Sequence, residues 1–257
     1  MVDIAVFAEG PTEWLAVRKL WKKGILKEAN LLGSQKKKVD DWLKTVDKLI
    51  VTKEEGILID PPCSNILLLY DQEQESEPGN VSQRIAKNAQ KAGLSLIFTP
   101  IHPYGNIFLA NGNELTVSLH VADRPGPDGN RDFDGYIIDL LESAGPEIVA
   151  DLLNDNKMTI SSLRNKVQHL PAKEETVYLL GKEDIPELMN ERGWGVQRSK
   201  TLLYSFITAT QINKSHVWFS EKVIEKAPAE KLRLVFAPLI AAWDALVTMA
   251  TVDALRG

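Results

Sequence analysis

Acidic side chains gather at the ends of two apolar runs of the sequence. Glu9 follows the run at residues 4–8, and Glu13 comes four residues later in the stretch EGPTE. A second apolar run, NILLLYD, ends at Asp71. It leads into QEQESE, which adds three acids within six residues, Glu73, Glu75 and Glu77. Carboxylates at this density repel one another unless a cation or a basic partner compensates them.

A hard divalent cation is the compensating partner that these residue types favour. Mg²⁺ binds carboxylate oxygens and retains water, and Mn²⁺ accepts similar oxygen ligands. Acids at positions i and i+2 after a strand, such as Asp71 and Glu73, can direct two side chains at one ion. Two other interpretations stay open at this point. Glu9 can simply interact with the dipole of a following helix, and the acids after Asp71 can belong to a solvated loop.

The acids need a sheet to bring them together, and the apolar runs predict one. The runs at residues 4–8, 65–71 and 94–101 have the length and apolar character of buried parallel strands. Apolar residues at helical spacing follow the first two runs, and this alternation predicts an α/β fold with a mostly parallel sheet. Because the carboxyl ends of parallel strands share one edge, Glu9 and Asp71 are expected to meet there.

The segments that follow predict an added hairpin. Residues 106–110 and 114–123 have strand character, and Asn111-Gly112 between them is a favoured tight-turn pair. Leucine and valine alternate with polar residues in the second segment, which predicts a strand buried on one face only. The aspartates in and beside the Pro/Gly-rich loop that comes next are expected to serve local turns; they are Asp123, Asp128, Asp132 and Asp134.

From about residue 146 the pattern is almost wholly helical. We therefore predict an α/β domain at residues 1–145, with a helical insertion at about 22–60. A helical C-terminal region at 146–257 is expected to pack on the α/β domain or beside it.

The order of these motifs resembles that of the Toprim domain, which occurs in topoisomerases, bacterial primases, OLD-family nucleases and small stand-alone proteins. The matching motifs are, in chain order, a strand that ends in EGPTE, a helix, and a later strand that ends in an acidic pair. The form of these motifs is most similar to that of the stand-alone and OLD-type members. Glu9, Gly10 and Asp71 match the family pattern. Glu73 departs from it, because the sequence has DxE where the family has DxD.

The resemblance covers residues 2–101 and extends to about 145. It implies a Rossmann-like sheet of the Toprim kind. The tract PDGNRDFDGYIIDLL is similar to a late loop and helix of some stand-alone members, in which Asp139 is the acid that faces the site. Glu9, Asp71, Glu73, Glu75 and Asp139 are thereby implied as metal ligands.

The activity that the resemblance implies is metal-dependent cleavage of phosphodiester bonds. Bound Mg²⁺ or Mn²⁺ assists the attack on phosphate, Glu9 acts as general acid–base or as ligand to a second ion, and Glu13 assists it. The expected substrate is nucleic acid, DNA or RNA, and microbial defence is the expected setting. An alternative is a non-catalytic Toprim-like module that binds a protein partner through its helical C-terminal half. A small-molecule phosphohydrolase using the same acids is a third interpretation.

Composition fits a soluble globular protein in a reducing compartment. Hydrophobic residues make up 44% and charged residues 25% of the 257 positions, and the net charge of −5 argues against nonspecific nucleic-acid binding by the whole surface. The single cysteine, Cys63, cannot form an internal disulfide. The first residues lack a signal-peptide pattern, and no uninterrupted apolar run approaches the ~20 residues of a membrane span. We expect a cytoplasmic protein without a membrane segment, of unspecified oligomeric state.

Overall fold

The computed structural model describes residues 1–32, 63–112, 115–126, 129–156, 174–196 and 199–256. Most of the helical insertion predicted at about 22–60 lies outside the described residues, and so do Asp128 and residues 113–114. Asn111 and Gly112, predicted as the tight-turn pair, lie instead in the strand Ile107–Gly112. The chain divides into two compact units, which we call unit 1 (Met1–Asp123 with Phe236–Gly257) and unit 2 (Arg124–Val235). The boundary predicted near residue 146 falls inside a helix of unit 2.

In its described residues, unit 1 has a six-stranded sheet and three helices. Its strands are β1 (Asp3–Ala8), β2 (Asn30–Leu32), β3 (Asn65–Asp71), β4 (Thr99–Pro100), β5 (Ile107–Gly112) and β6 (Leu115–Ala122). Two of its helices are α1 (Pro11–Lys22) and α2 (Pro78–Lys91). Unit 2 contributes α3 (Asp134–Asp155), α4 (Glu174–Leu179), α5 (Ile185–Glu191), α6 (Ser199–Thr210), α7 (His216–Lys226) and α8 (Ala229–Val235). The last helix, α9 (Ala237–Arg256), belongs to unit 1 again.

The strand order is β2-β1-β3-β6-β5-β4. Strands β2, β1, β3 and β6 run parallel, whereas β5 is antiparallel to β6 and β4 is antiparallel to β5. The predicted α/β class, the mostly parallel sheet and the added hairpin are confirmed.

Two strand predictions were wrong in detail. The run at residues 94–101 forms a strand only at β4, because Leu94 and Leu96 turn into the core while Ile97 is 79% exposed. Pro100 has no amide hydrogen to extend the ladder, which suits its place on the sheet edge. Strand β6 was predicted to be buried on one face, yet all eight of its residues are buried. It lies between β3 and β5, and both faces of the sheet are covered.

Helix α2 covers one face of the sheet, and α1 and α9 cover the other. Val81, Ile85 and Ala89 recur at the spacing of one helix face and pack into a single cluster with the side chains of β1, β3, β5 and β6 that point to that side. Helix α1 contacts β1, and α9 contacts β3, β5 and β6, but neither helix has a described residue in this cluster. On their side Trp243 is fully buried, and its indole donates a hydrogen bond of 2.9 Å to the carbonyl of Lys27.

Unit 2 packs its helices around aromatic side chains. Helix α3 bends at Ala144, next to Gly145 and Pro146. The absence of a side chain at Gly145 lets the ring of Tyr178 lie directly against the backbone at this bend. Phe206 lies between the rings of Tyr178 and Phe219, with centroid distances of 5.7 and 6.5 Å.

No single helix in the described part of the chain is long and apolar enough to cross a membrane.

Candidate active site at the carboxyl ends of the parallel strands

The topology of unit 1 creates a switch point between β1 and β3. After β1 the chain crosses through α1 to β2 on one side, and after β3 it crosses through α2 towards β6 on the other side. In open α/β sheets, ligands bind in the crevice outside the carboxyl ends of the strands at such a point. Glu9 directly follows β1 and Asp71 is the last residue of β3, so both acids lie at this crevice.

A hydrogen bond joins the two acidic loops. The amide of Glu9 donates to the carbonyl of Leu69 at 3.1 Å, which continues the pairing of β1 with β3 beyond the strand end. The carboxylate oxygen Oε2 of Glu9 then accepts from the backbone amide of Asp71 at 3.0 Å. The side chain of Glu9 therefore reaches across to the end of β3, and the two acids predicted to meet do lie together.

The geometry of EGPTE explains its glycine, its proline and its second acid. Gly10 caps α1 in an extended conformation (φ −132°, ψ 173°), and Pro11 occupies the first helical position, where it needs no hydrogen-bond donor. The Oε1 atom of Glu13 accepts from the amide of Gly10 at 3.1 Å. A Cβ atom at position 10 would lie 2.9 Å from Oε2 of Glu13. A side chain at position 10 would therefore make the Glu13 carboxylate shift, whereas the φ angle of Gly10 suits any residue.

Glu13 was predicted to assist catalysis, and its side chain is only 4% exposed. In a capping box, the glutamate at the third helical position accepts from the amide of the cap residue, and the side chain of the cap residue accepts in return. Glu13 makes the first of these bonds with the Gly10 amide, and Gly10 has no side chain to make the second. The negative charge of Glu13 also lies at the amino end of α1, where the helix dipole stabilises it. The carboxylate of Glu13 therefore holds the backbone between Glu9 and α1, and its assignment as a catalytic residue stays a prediction.

The loop after β3 is a tight turn built on Gln72. The Gln72 amide donates to the carbonyl of Ala122 at 3.0 Å, and its side-chain Nε2 donates to the carbonyl of Glu75 at 2.7 Å. Glu73 adopts a left-handed conformation (φ +52°), which costs a non-glycine residue about 1 kcal/mol and is enriched at functional sites. Glu73 is exposed, whereas Asp71 and Glu75 are half-buried.

Gln72 also carries a buried polar atom that has no hydrogen-bond partner among the described residues. Its side chain is 2% exposed, and Oε1 is the atom concerned. Buried polar groups in folded proteins are nearly always satisfied, by protein, water or ligand. A buried oxygen with unused acceptor capacity beside Asp71 suits a site that binds a hydrated ion.

Asp123, expected to serve a local turn, lies at the same edge of the sheet as Asp71. It directly follows β6, whose parallel pairing with β3 sets Asp71 opposite Ala122 and so brings Asp123 beside Gln72. Three neighbouring parallel strands therefore each end in an acid. The signal was present in the sequence, because the apolar run at 115–122 ends in Asp just as the run at 65–71 does. The expectation that Asp123 serves a local turn came from the Pro/Gly-rich loop that follows it, whereas its place at the sheet edge depends on the pairing of β6 with β3.

The acid expected from the late loop, Asp139, lies in unit 2. Its carboxylate pairs with Nε of Arg124 at 3.1 Å, and the Arg124 guanidinium lies 5.2 Å from the ring centre of Tyr136. This ion pair gives Asp139 a role within its own unit. Its assignment as a metal ligand stays a prediction.

Two aspartates, Asp132 and Asp134, lie at the start of α3, and the pKa of Asp134 is raised. Asp132 accepts from the amide of Gly135 at 3.0 Å and so caps the helix. Burial and, to a smaller extent, the negative charge of Asp132 raise the pKa of Asp134 to about 6, against the opposing effect of Lys200. Asp134 therefore changes charge close to neutral pH.

The donor set at the strand ends suits magnesium better than zinc. Across the described ranges, no three histidine, cysteine, aspartate or glutamate side chains converge as a ready-made metal cage. Zinc sites need three or four such protein ligands. Mg²⁺ is bound by one or two carboxylates together with water and substrate phosphate, a requirement that Asp71 with Glu9 or Asp123 can meet.

Comparisons with known proteins added no relative. The chain matched no protein-family model, no curated protein and no solved structure.

Proposed function

We propose that this chain is a metal-dependent nuclease of Toprim type, a hydrolase acting on phosphodiester bonds, with its metal at the carboxyl ends of β1 and β3. The observation that carries the proposal is the 3.0 Å hydrogen bond from the Asp71 amide to Glu9 Oε2. It joins two acid-bearing loops at the switch point of a mostly parallel sheet, which is where such folds bind ligands.

Asp71 is the central ligand for Mg²⁺ or Mn²⁺ in this proposal, with Glu73, Glu75 or Asp123 as the second carboxylate. The ion, when bound, neutralises charge on the phosphate and lowers the pKa of a coordinated water. Glu9 is the candidate general acid–base.

Glu13 acts through Gly10 and not on the substrate. By holding the Gly10 amide it sets the direction in which the chain leaves Glu9. Replacing Glu13 should therefore lower activity through misplacement of Glu9, a small geometric change that catalysis does not tolerate.

The proposed substrate is DNA or RNA, and the proposed setting is the microbial cytoplasm, in defence against foreign nucleic acid. With an overall charge of −5, contact with phosphate depends on local cations. Arg18, Lys19, Lys22 and Lys23 near the end of α1 supply a short basic stretch in unit 1.

The test is cleavage of supercoiled plasmid and of end-labelled RNA, with Mg²⁺, with Mn²⁺ and with chelator. We expect cleavage that the chelator abolishes, and a loss of about a hundredfold or more in Glu9→Gln and in Asp71→Asn. Gln retains an oxygen to accept the Asp71 amide, so Glu9→Gln removes charge and basicity while keeping the link between the loops. Glu28→Gln is the matched control, since Glu28 is an exposed acid just before β2, at the amino-terminal edge of the sheet. Full cleavage by both site variants, or none by the folded wild-type chain, would refute the proposal.

The alternative function is binding of a protein partner by the helical half of the chain. It is favoured by one observation in unit 2, an exposed apolar pair set among acids. A folded chain that neither cleaves nucleic acid nor binds Mn²⁺ would make this the principal function.

A further inference from the structure

Unit 2 exposes two large apolar side chains close together in sequence. Trp194 is 73% exposed and Leu188, on α5, is 53% exposed. Large aromatic side chains in contact with water are the usual anchors of protein interfaces. We call this pair, together with the exposed acids Glu187 and Glu191, the Trp194 patch.

The turn that carries Trp194 is held by its own hydrogen bonds. Gly193 has a φ of +78° and donates to the carbonyl of Asn190 at 3.0 Å, and the amide of Trp194 donates to the carbonyl of Met189 at 2.8 Å. This is the Schellman pattern of helix termination. The side chain of Asn190 then accepts from the amide of Val196 at 3.1 Å. The exposed indole is thus held on a fixed backbone, which lowers the entropic cost of using it in binding.

Helix termination does not account for the exposure of Trp194. A residue at this position of a Schellman turn commonly packs on the last turn of its own helix. Most of the Trp194 surface nevertheless remains in water. The turn therefore explains where the residue is held, and a binding partner explains why its surface is left open.

The surroundings of the apolar pair are acidic. Glu187 and Glu191 are one helical turn apart on α5, and Leu188 neighbours Glu191 at the i, i+3 spacing. Residues 180–196 contain four acids, which include Glu183 and Asp184, and two bases, Lys182 and Arg192. The net charge of this segment is therefore −2. One of the bases, Lys182, lies 5.8 Å from the ring centre of Tyr178.

We propose that the Trp194 patch docks a basic amphipathic segment of a partner protein. Aliphatic or aromatic side chains of the partner cover Trp194 and Leu188, and its lysines or arginines lie against Glu187 and Glu191. The same acids repel a phosphate backbone, so the indole does not serve as a stacking platform for nucleic acid. This inference does not depend on the chemistry at the strand ends and stands whether or not the chain cleaves phosphodiesters.

The test uses the full chain and three fluorescent probes. These are a short amphipathic peptide of Lys and Leu, the same peptide with Glu in place of Lys, and an oligothymidylate of similar length. Anisotropy is expected to report binding of the Lys peptide only, and this binding should weaken as salt is raised. Trp194→Ala, and separately Glu187→Gln with Glu191→Gln, should each weaken it by about tenfold or more.

Two matched variants serve as controls. Ile97→Ala removes an equally exposed apolar side chain from unit 1 (79% exposed), and Glu147→Gln removes an exposed acid from α3. Both should bind the Lys peptide as the wild type does. Because the substituted side chains are exposed, circular dichroism should show all variants folded.

Three results overturn the proposal. The first is binding of the Lys peptide that Trp194→Ala leaves unchanged. The second is binding of oligothymidylate that Trp194→Ala abolishes, which identifies a nucleic-acid site. The third is self-association, measured by sedimentation, that Trp194→Ala abolishes, which identifies a second copy of this chain as the occupant.

Discussion

Substituting Gly10 by alanine tests the account of EGPTE most directly. The new Cβ would lie 2.9 Å from Oε2 and 3.2 Å from Oε1 of Glu13. The backbone at residue 10 is extended, so alanine is not strained there and stiffens the unfolded chain, which by itself stabilises by about 0.4–1 kcal/mol. Against this, the buried Glu13 carboxylate must move away and lose its bond to the Gly10 amide. A hydrogen bond to a charged group contributes about 1.5–3 kcal/mol, so we expect a net loss of about 1–2 kcal/mol.

A double-mutant cycle separates the contact with Glu13 from other effects of the substitution. In a Glu13→Ala background there is no carboxylate to displace. Gly10→Ala should then be neutral or stabilising by up to about 1 kcal/mol, so the sign of its effect reverses. Urea unfolding followed by tryptophan fluorescence measures all four proteins. An equal destabilisation by Gly10→Ala in both backgrounds would refute the argument that Glu13 requires a glycine at this position.

Two further predictions concern unit 2. Burial is the main cause that raises the pKa of Asp134 from its ordinary 3.8 to about 6, so the folded state favours the protonated acid. The contribution of this preference to the free energy of unfolding is fully present below about pH 4 and is lost as the pH rises through 6. Asp134→Asn should therefore leave the free energy of unfolding unchanged at pH 4 and raise it by about 1–3 kcal/mol at pH 8, as measured by urea unfolding at both pH values; an equal effect at both would contradict the assignment. Gly145→Ala forces a methyl group into the ring of Tyr178 and should cost about 1–3 kcal/mol in thermal or urea unfolding. Gly79→Ala, at the start of α2 with no atom within 4 Å of the added carbon, should be neutral or stabilising, and similar losses in both variants would argue against the close contact at the bend of α3.

Local patterns were sufficient to predict the elements that carry Glu9 and Asp71. Apolar runs ended by an acid predicted β1 and β3, and helical spacing predicted α1 and α2, because these elements bury continuous apolar faces against their neighbours. The meeting of the two acids then followed from the geometry of parallel strands. Long-range pairing was not encoded in any local pattern. The neighbour relation of β3 and β6, which brings Asp123 to the same edge, depends on the order of strands in the sheet.

The two glutamates of EGPTE illustrate a different limit of sequence interpretation. Glu9 directly precedes Gly10 and its carboxylate reaches the backbone at the end of β3, whereas Glu13 lies in the first turn of α1 and its carboxylate accepts from the Gly10 amide. The sequence does not reveal that Glu13 is buried and turned back towards Gly10. Similarly, alternation of apolar and polar residues in β6 predicted one open face, because a sequence does not reveal that a helix from the far end of the chain covers the other.

The membership of α9 in unit 1 has a consequence for biosynthesis. The ribosome completes β6, then the whole of unit 2, and only afterwards the helix that contacts β3, β5 and β6. Domains commonly fold as they emerge, amino-terminal parts first. The part of unit 1 that is made first therefore lacks a helix of its core, and the part of the sheet that α9 covers stays open to chaperones and to aggregation until α9 has been translated.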